Sequence, residues 1–336
     1  MTEISLSIVI PTYNRASKLN YLLSSLFGKS CNFHTDVEVV ILDNASADNT
    51  EDVVSNFSKS YPIKYLKREK NIGMDANIAS CFDAANGKYL WVLGDDEILY
   101  RGTLDYVLNL CRVENFGILY MENRGFQDGE EGKVELISVP GTPDVITLSS
   151  EKMFREVNVF LTFISANIVN KSAVINSFPE FNSRSDTNTF LPQMAWMYSA
   201  LKSVDQHFFV RSPMLGALTG NTGGYKLIEV FGINLINITK KYFDKSLPAA
   251  ANIMSNAVIT RLLPGEIIRQ NGESSAKSKF EHEDVKKAIY SCFENKIYFK
   301  IFLKPILSGS VFKRKISFFF VRVFNRVNKK IRYAML

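Results

Sequence analysis

The strongest constraint on this chain is an alternation in its first 120 residues. Short runs rich in Val and Ile are separated there by stretches whose apolar residues recur at intervals of three and four. The runs at 6–10, 37–42, 63–66, 89–93 and 117–120 predict strands. Between them, 18–27, 49–57, 75–85 and 103–111 predict amphipathic helices, with Ser46 or Asp48 capping the second. A β-α-β-α-β-α-β series implies an α/β fold with a mostly parallel, helix-covered sheet. Ligands then bind in the crevice at the carboxyl ends of the strands.

Polar clusters fall at those ends. Pro11-Thr12-Tyr13-Asn14-Arg15 follows the first strand, Asp43-Asn44-Ala45-Ser46 the second, and Gly94-Asp95-Asp96-Glu97 the fourth. Three adjacent carboxylates repel one another, and a divalent cation offsets that repulsion. Mg²⁺ or Mn²⁺ takes one or two carboxylates together with phosphate oxygens. The alternative is a solvated acidic turn at the start of the next helix. Asp43 stands where nucleotide-binding α/β folds place the carboxylate that accepts from a ribose hydroxyl or a base N–H, and it also suits an ordinary turn. No GxGxxG follows the first strand and no GxxxxGK[ST] occurs, which excludes the usual dinucleotide and nucleoside-triphosphate cradles.

Composition narrows the rest. With 336 residues, 46% of them apolar, the chain has ample core. Its four cysteines form no CxxC pair and only three histidines accompany them, which argues against a zinc site and fits a reducing compartment. The start MTEISLSIVIPTYN lacks the pattern of an export signal, and no run of about 18 apolar residues is free of charge, so a cytoplasmic protein is expected. Net charge is +6, yet residues 297–336 hold ten basic residues and no acidic one, leaving −4 for the rest. In that tail Ile316, Phe320, Val323, Val327 and Ile331 share one helical face, and Lys315, Arg322, Arg326 and Lys329 group on another. This pattern fits a basic amphipathic helix lying on anionic lipid, or a helix packed on the domain; nothing in it marks a nucleic-acid binder.

Residues 122–148 read as a loop or ragged hairpin, and 163–169 as a further strand. From 226 onward the pattern is helical, with breaks expected near Pro248 and Pro264-Gly265. The domains expected are therefore 1–225 and 226–336.

Taken together, Ser7-Ile8-Val9-Ile10-Pro11-Thr12-Tyr13-Asn14-Arg15, the stretch from Val39 to Thr50 through Asp43-Asn44-Ala45-Ser46, Asn71-Ile72-Gly73 with Asn77, and Gly87-Lys88-Tyr89 leading to Gly94-Asp95-Asp96-Glu97 resemble the family-two glycosyltransferases of GT-A fold. The likeness is greatest to bacterial O-antigen and polysaccharide enzymes of the abequosyltransferase-like kind. It implies transfer of a sugar from a nucleoside-diphosphate sugar to a saccharide acceptor, expected to be lipid-linked, at the inner face of the cell membrane. Pro11, Thr12, Tyr13, Asn14 and Arg15 would shape the nucleoside pocket, Asp43 would bind base or ribose, and Asn71 and Asn77 would line the donor cleft. Asp96 would hold the metal with Asp95 and Glu97 in support, while Gly94 stands where the family's first aspartate usually does. The loop from Asn221 to Tyr225 would be a flap over the diphosphate, with an interdomain turn as the other reading. Asp186 is the nearest candidate for the acceptor's base; Gln193 and Trp196 would touch acceptor or join the core. Nucleotidyl transfer, or an inactive membrane-peripheral sugar-binding protein, is the alternative function.

Overall fold

The computed structural model describes residues 3–28, 34–220, 224–270, 285–308 and 310–334. Two compact units divide the chain, Met1–Thr219 and Gly220–Leu336.

In the first unit, β1 (Leu6–Thr12), β2 (Val37–Asp43), β3 (Ile63–Lys67) and β4 (Tyr89–Val92) form a parallel sheet in the order β3-β2-β1-β4. Leu6, Ile8, Val9 and Ile10 of β1 are wholly buried, because both faces of the sheet are covered and a continuous apolar run has no solvent side. Helices α1 (Ala16–Leu26) and α4 (Thr103–Val113) pack on one face through Leu19, Leu22, Leu23, Val107 and Leu108. The remaining crossover helices are α2 (Thr50–Ser58), which starts beyond the turn after β2, and α3 (Met74–Ala84), whose Phe82 packs against Trp196.

Beyond β4 the sheet is mixed, which corrects the expectation of a mostly parallel one. β5 (Ile98–Leu99), β6 (Ile118–Phe126), β7 (Val145–Leu148), β8 (Asn167–Asn170) and β9 (His207–Leu218) extend it as β4-β8-β6-β9-β5, with β7 also on β9. β8 runs antiparallel to both β4 and β6. The segment 122–148 is more ordered than a loop: β6 continues through Phe126, and a short helix, Glu131–Val134, precedes β7.

Pro11 explains where the crevice opens. Val9 accepts the Leu93 N–H on the β4 side, and Pro11, two residues on, presents its main chain to that same side. It lies past the last β1–β4 pair, Val9↔Val92, so its missing N–H interrupts no ladder. β1 continues only with β2, through Thr12↔Asp43, and its end parts from β4 where the strand order reverses.

The second unit is helical. Its chain turns at 244–249, including Pro248, between helices Leu235–Phe243 and Ala250–Ala257. No break occurs at Pro264: the wide π turn Val258–Leu262 leads directly into helix Leu263–Gln270. Its i→i+5 spacing leaves room for a ring that an α turn would reject. The last helix, Val311–Ala334, is anchored by buried Val321, by Phe324 4.6 Å from Phe302, and by the Asn325 amide donating to Thr260 O at 2.7 Å.

Candidate functional site

The strand ends meet through specific bonds. Thr12 Oγ1 donates to Asp95 Oδ2 at 2.7 Å, joining β1 to the turn after β4. Arg15, at the entrance to α1, places Nη1 3.1 Å from Asp95 Oδ1 and 3.0 Å from Asp96 Oδ2. Burial, then the Asp96 charge, pushes the Asp95 carboxyl up to about 6, against the pull of Arg15. The turn after β1 is also locked to the one after β2. The Asn14 N–H donates to Ser46 Oγ at 2.9 Å, the Ala47 N–H to Asn14 Oδ1 at 2.8 Å, and Asn14 takes a left-handed φ of 52°.

Asp43 is fully buried, and its oxygens are engaged by the Ser46 N–H and the Tyr65 hydroxyl. In this arrangement it braces the turn after β2 from within. Its neighbour Asn44, also buried, ties this turn to the one before α3, donating to Asn71 Oδ1 at 2.8 Å and accepting the Ile72 N–H at 3.0 Å. Asn71 is exposed at the cleft, whereas buried Asn77 supports from beneath: it donates to Leu42 O at 3.1 Å and accepts from Arg68 Nε at 3.1 Å. Arg68 lines a cavity of about 400 Å³ with Leu42, Leu66, Lys67, Glu69, Lys70 and Ile72. Sequence reading missed Arg68; the signal was a basic run, Lys67-Arg68 with Lys70, directly after a strand. Tyr13 is 43% exposed on the turn after β1.

The acidic triplet is divided. Asp95 and Asp96 converge on Arg15, while Glu97 is buried with Oε1 3.4 Å from the Ser165 hydroxyl, which also accepts the Gly94 N–H at 3.0 Å. Among the described residues no three His, Cys, Asp or Glu side chains gather as a metal-ligand set. Two carboxylate oxygens about 3 Å from one positively charged nitrogen do fit a seat for a hard divalent cation, provided phosphate oxygens complete the coordination.

Asp186 is buried in the turns between helices Lys171–Ser177 and Met194–Ser203, and the Ser185 hydroxyl donates to its Oδ2 at 3.2 Å. This segment is fastened along α3: Ser183 Oγ donates to Asp83 at 2.9 Å, and Asp75 accepts the N–H groups of Thr189 and Phe190 at 3.0 and 2.9 Å. Asp75 lies in the first turn of α3, two residues from Gly73, so the segment reaches the cleft end of that helix. Gln193 and Trp196 are buried; the Gln193 amide donates to Thr162 O at 2.9 Å and Trp196 is core. Asn221 lies outside the described residues. Tyr225 belongs to the second unit, where burial pushes its phenol up to about 12.

The sequence model of glycosyl transferase family 2 matches residues 7–176. Over 101 residues the chain is 39% identical to the abequosyltransferase RfbV of Salmonella typhimurium, covering 30% of each chain. Over 133 residues it is 30% identical to the GalNAc(5)-diNAcBac-PP-undecaprenol beta-1,3-glucosyltransferase of Campylobacter jejuni, covering 36% of this chain and 42% of that one. The chain thus spans less than half the length of either relative. In structure it is similar to residues 1–349 of S. aureus TarS, solved with UDP-GlcNAc, at a TM-score of 0.56 and 15% identity, covering 96% of this chain and 92% of that one. The fold is GT-A with a helical C-terminal region.

Proposed function

This chain belongs to glycosyl transferase family 2, and from that membership we propose that it moves a sugar from a nucleoside-diphosphate sugar to a saccharide acceptor in bacterial surface-glycan synthesis. The observation that carries the reading is the crevice at the ends of β1, β2 and β4, where Thr12, Arg15, Asp95 and Asp96 form one bonded group. In this reading Asp95 and Asp96 hold Mg²⁺ or Mn²⁺. Such a cation offsets charge on the leaving diphosphate.

The chain's own groups do the rest. Tyr13 offers an aromatic face to the base, while Arg68 and Lys70, with Lys67 paired to Glu51, outweigh Glu69 and leave the adjoining cavity the positive charge a diphosphate complements. Asp186 takes the acceptor proton if the reaction inverts configuration. The first unit, Met1–Thr219, carries this chemistry.

An acceptor linked to lipid is proposed on two grounds. The Campylobacter relative is by name a glucosyltransferase of an undecaprenol-linked glycan. The helix Val311–Ala334 also exposes Phe312, Phe319 and Phe320 by 72%, 62% and 61%, beside Lys313, Arg314, Lys315, Arg322 and Arg326. An apolar stripe with basic flanks suits the surface of an anionic membrane. No helix among the described residues is long and apolar enough to cross one.

The direct test is donor turnover over a panel of UDP-, CDP-, GDP- and dTDP-sugars. Asp96→Ala should lower turnover by roughly a thousandfold, as loss of a charge-stabilising group does, without unfolding the protein. Undiminished turnover in that variant would remove the proposed donor site.

A further inference from the structure

The cation seat already has an occupant from the chain itself. Arg15 Nη1 stands 3.1 and 3.0 Å from one oxygen of each carboxylate, and the second oxygen of Asp95 is taken by Thr12. The Asp95 and Asp96 side chains are 7% and 14% exposed, but that of Arg15 is 39% exposed. The guanidinium is therefore the part of this group with freedom to leave. Gly94 contributes no charge, and a Cβ there would meet Asp96 Oδ1 and Ser165 Oγ at 3.2 Å each, so a third carboxylate has little room beside the pair. Two carboxylates shared with one positive charge attract a second cation weakly, and a metal bridging the two oxygens that Nη1 now bridges would compete with the guanidinium for that place.

We infer that Arg15 is an internal counter-ion that holds the cation seat closed until a diphosphate arrives. The diphosphate gives the guanidinium a better partner, since planar N–H donors bind phosphate bidentately. As Arg15 swings to it, Asp95 and Asp96 become available to the divalent ion. Cation and nucleotide then bind as a linked pair, each raising the other's affinity by the same factor. Arg15 is in this sense a positioning residue that couples two ligands. The inference rests on the donor-site reading above.

The test is Mn²⁺ binding by the full chain, read as loss of the free-ion electron paramagnetic resonance signal, with and without UDP, CDP, GDP and dTDP. For the wild type, Mn²⁺ alone should bind weakly, and the nucleotide that raises the thermal midpoint should tighten it at least tenfold. Arg15→Ala should bind Mn²⁺ alone at least tenfold more tightly than wild type and gain less from nucleotide than wild type does, and Arg15→Gln should behave alike. Asp96→Ala should bind weakly throughout, and thermal midpoints near wild type show that the variants are folded. If a nucleotide stabilises the wild type but the Arg15 variants hold Mn²⁺ no more tightly, the counter-ion role falls and the donor site stands. If no nucleotide stabilises any form, the donor site falls and this inference with it.

Discussion

At Gly94 the chain carries a hydrogen atom where the resemblance leads one to expect a carboxylate, and the surroundings give the reason. Asp96 Oδ1 and Ser165 Oγ stand too close for an ordinary side-chain contact. Gly94→Asp should therefore push Asp96 out of place and lower donor turnover roughly tenfold or more, since small displacements at a reacting site are costly; wild-type turnover in that variant would show that the crowding is not felt. Thr12→Val probes the opposite side of the group. It removes the hydroxyl donor from buried Asp95 and should cost about 1–3 kcal/mol in urea unfolding, whereas an unchanged midpoint would mean that water replaces the bond. The sequence marked Asp43, Asn77 and Asp95 as polar residues at strand and helix ends. It did not reveal that Asp43 and Asn77 face inward, because polarity does not specify which partner a side chain meets.

Among the elements, β9 and the start of β6 are joined by a buried histidine. His207 has no exposed surface; its Nδ1 accepts the Ile118 N–H at 3.0 Å, which assigns the proton to Nε2, 3.0 Å from the Ser150 hydroxyl. The Ser150 hydroxyl passes its own proton toward Asp205 Oδ1 at 3.0 Å. Burial lowers the imidazole from its ordinary 6.5 to about 4, with Asp205 opposing. The unfolded chain thus takes up this proton first as pH falls. Stability from the neutral ring is complete above about 6.5 and is lost progressively toward pH 4, on the order of 3 kcal/mol. Denaturant unfolding at a series of pH values checks this: the slope between 6.5 and 4 should flatten in His207→Gln, and an identical slope would sink the assignment. Strand and helix positions in the first 120 residues were legible from periodicity alone. Strand direction beyond β4 was not, because a short strand such as Asn167-Ile168-Val169-Asn170 reads the same in either sense.

On the scale of the molecule, the chain divides into two compact units. Met1–Thr219 should fold without the rest, giving a cooperative thermal transition and native-like circular dichroism; a noncooperative melt would count against its independence. Removing residues 311–336 should abolish sedimentation with anionic liposomes while leaving binding to a soluble nucleotide unchanged, and undiminished sedimentation would place the membrane contact elsewhere. The tail's periodicity already grouped Ile316, Phe320, Val323 and Val327 on one face. The structure leaves those four 40–61% exposed and anchors the helix through Val321, Phe324 and Asn325 instead. Ile331 and Lys329, placed on the two expected faces, have side chains outside the described set.

The sequence by itself determined the order of strands and helices at the start of the chain and the strand ends at which polar chemistry collects. Hydrophobic period and strand-end residues are local properties, legible without knowing what lies across the fold. Only the tertiary structure decided that Asp43 is internal, that Glu97 meets Ser165, and that Arg15 stands between Asp95 and Asp96. The Arg15 bonds join residues about 80 positions apart, and they are set by strand register and by competition for hydrogen-bond partners in a buried crevice.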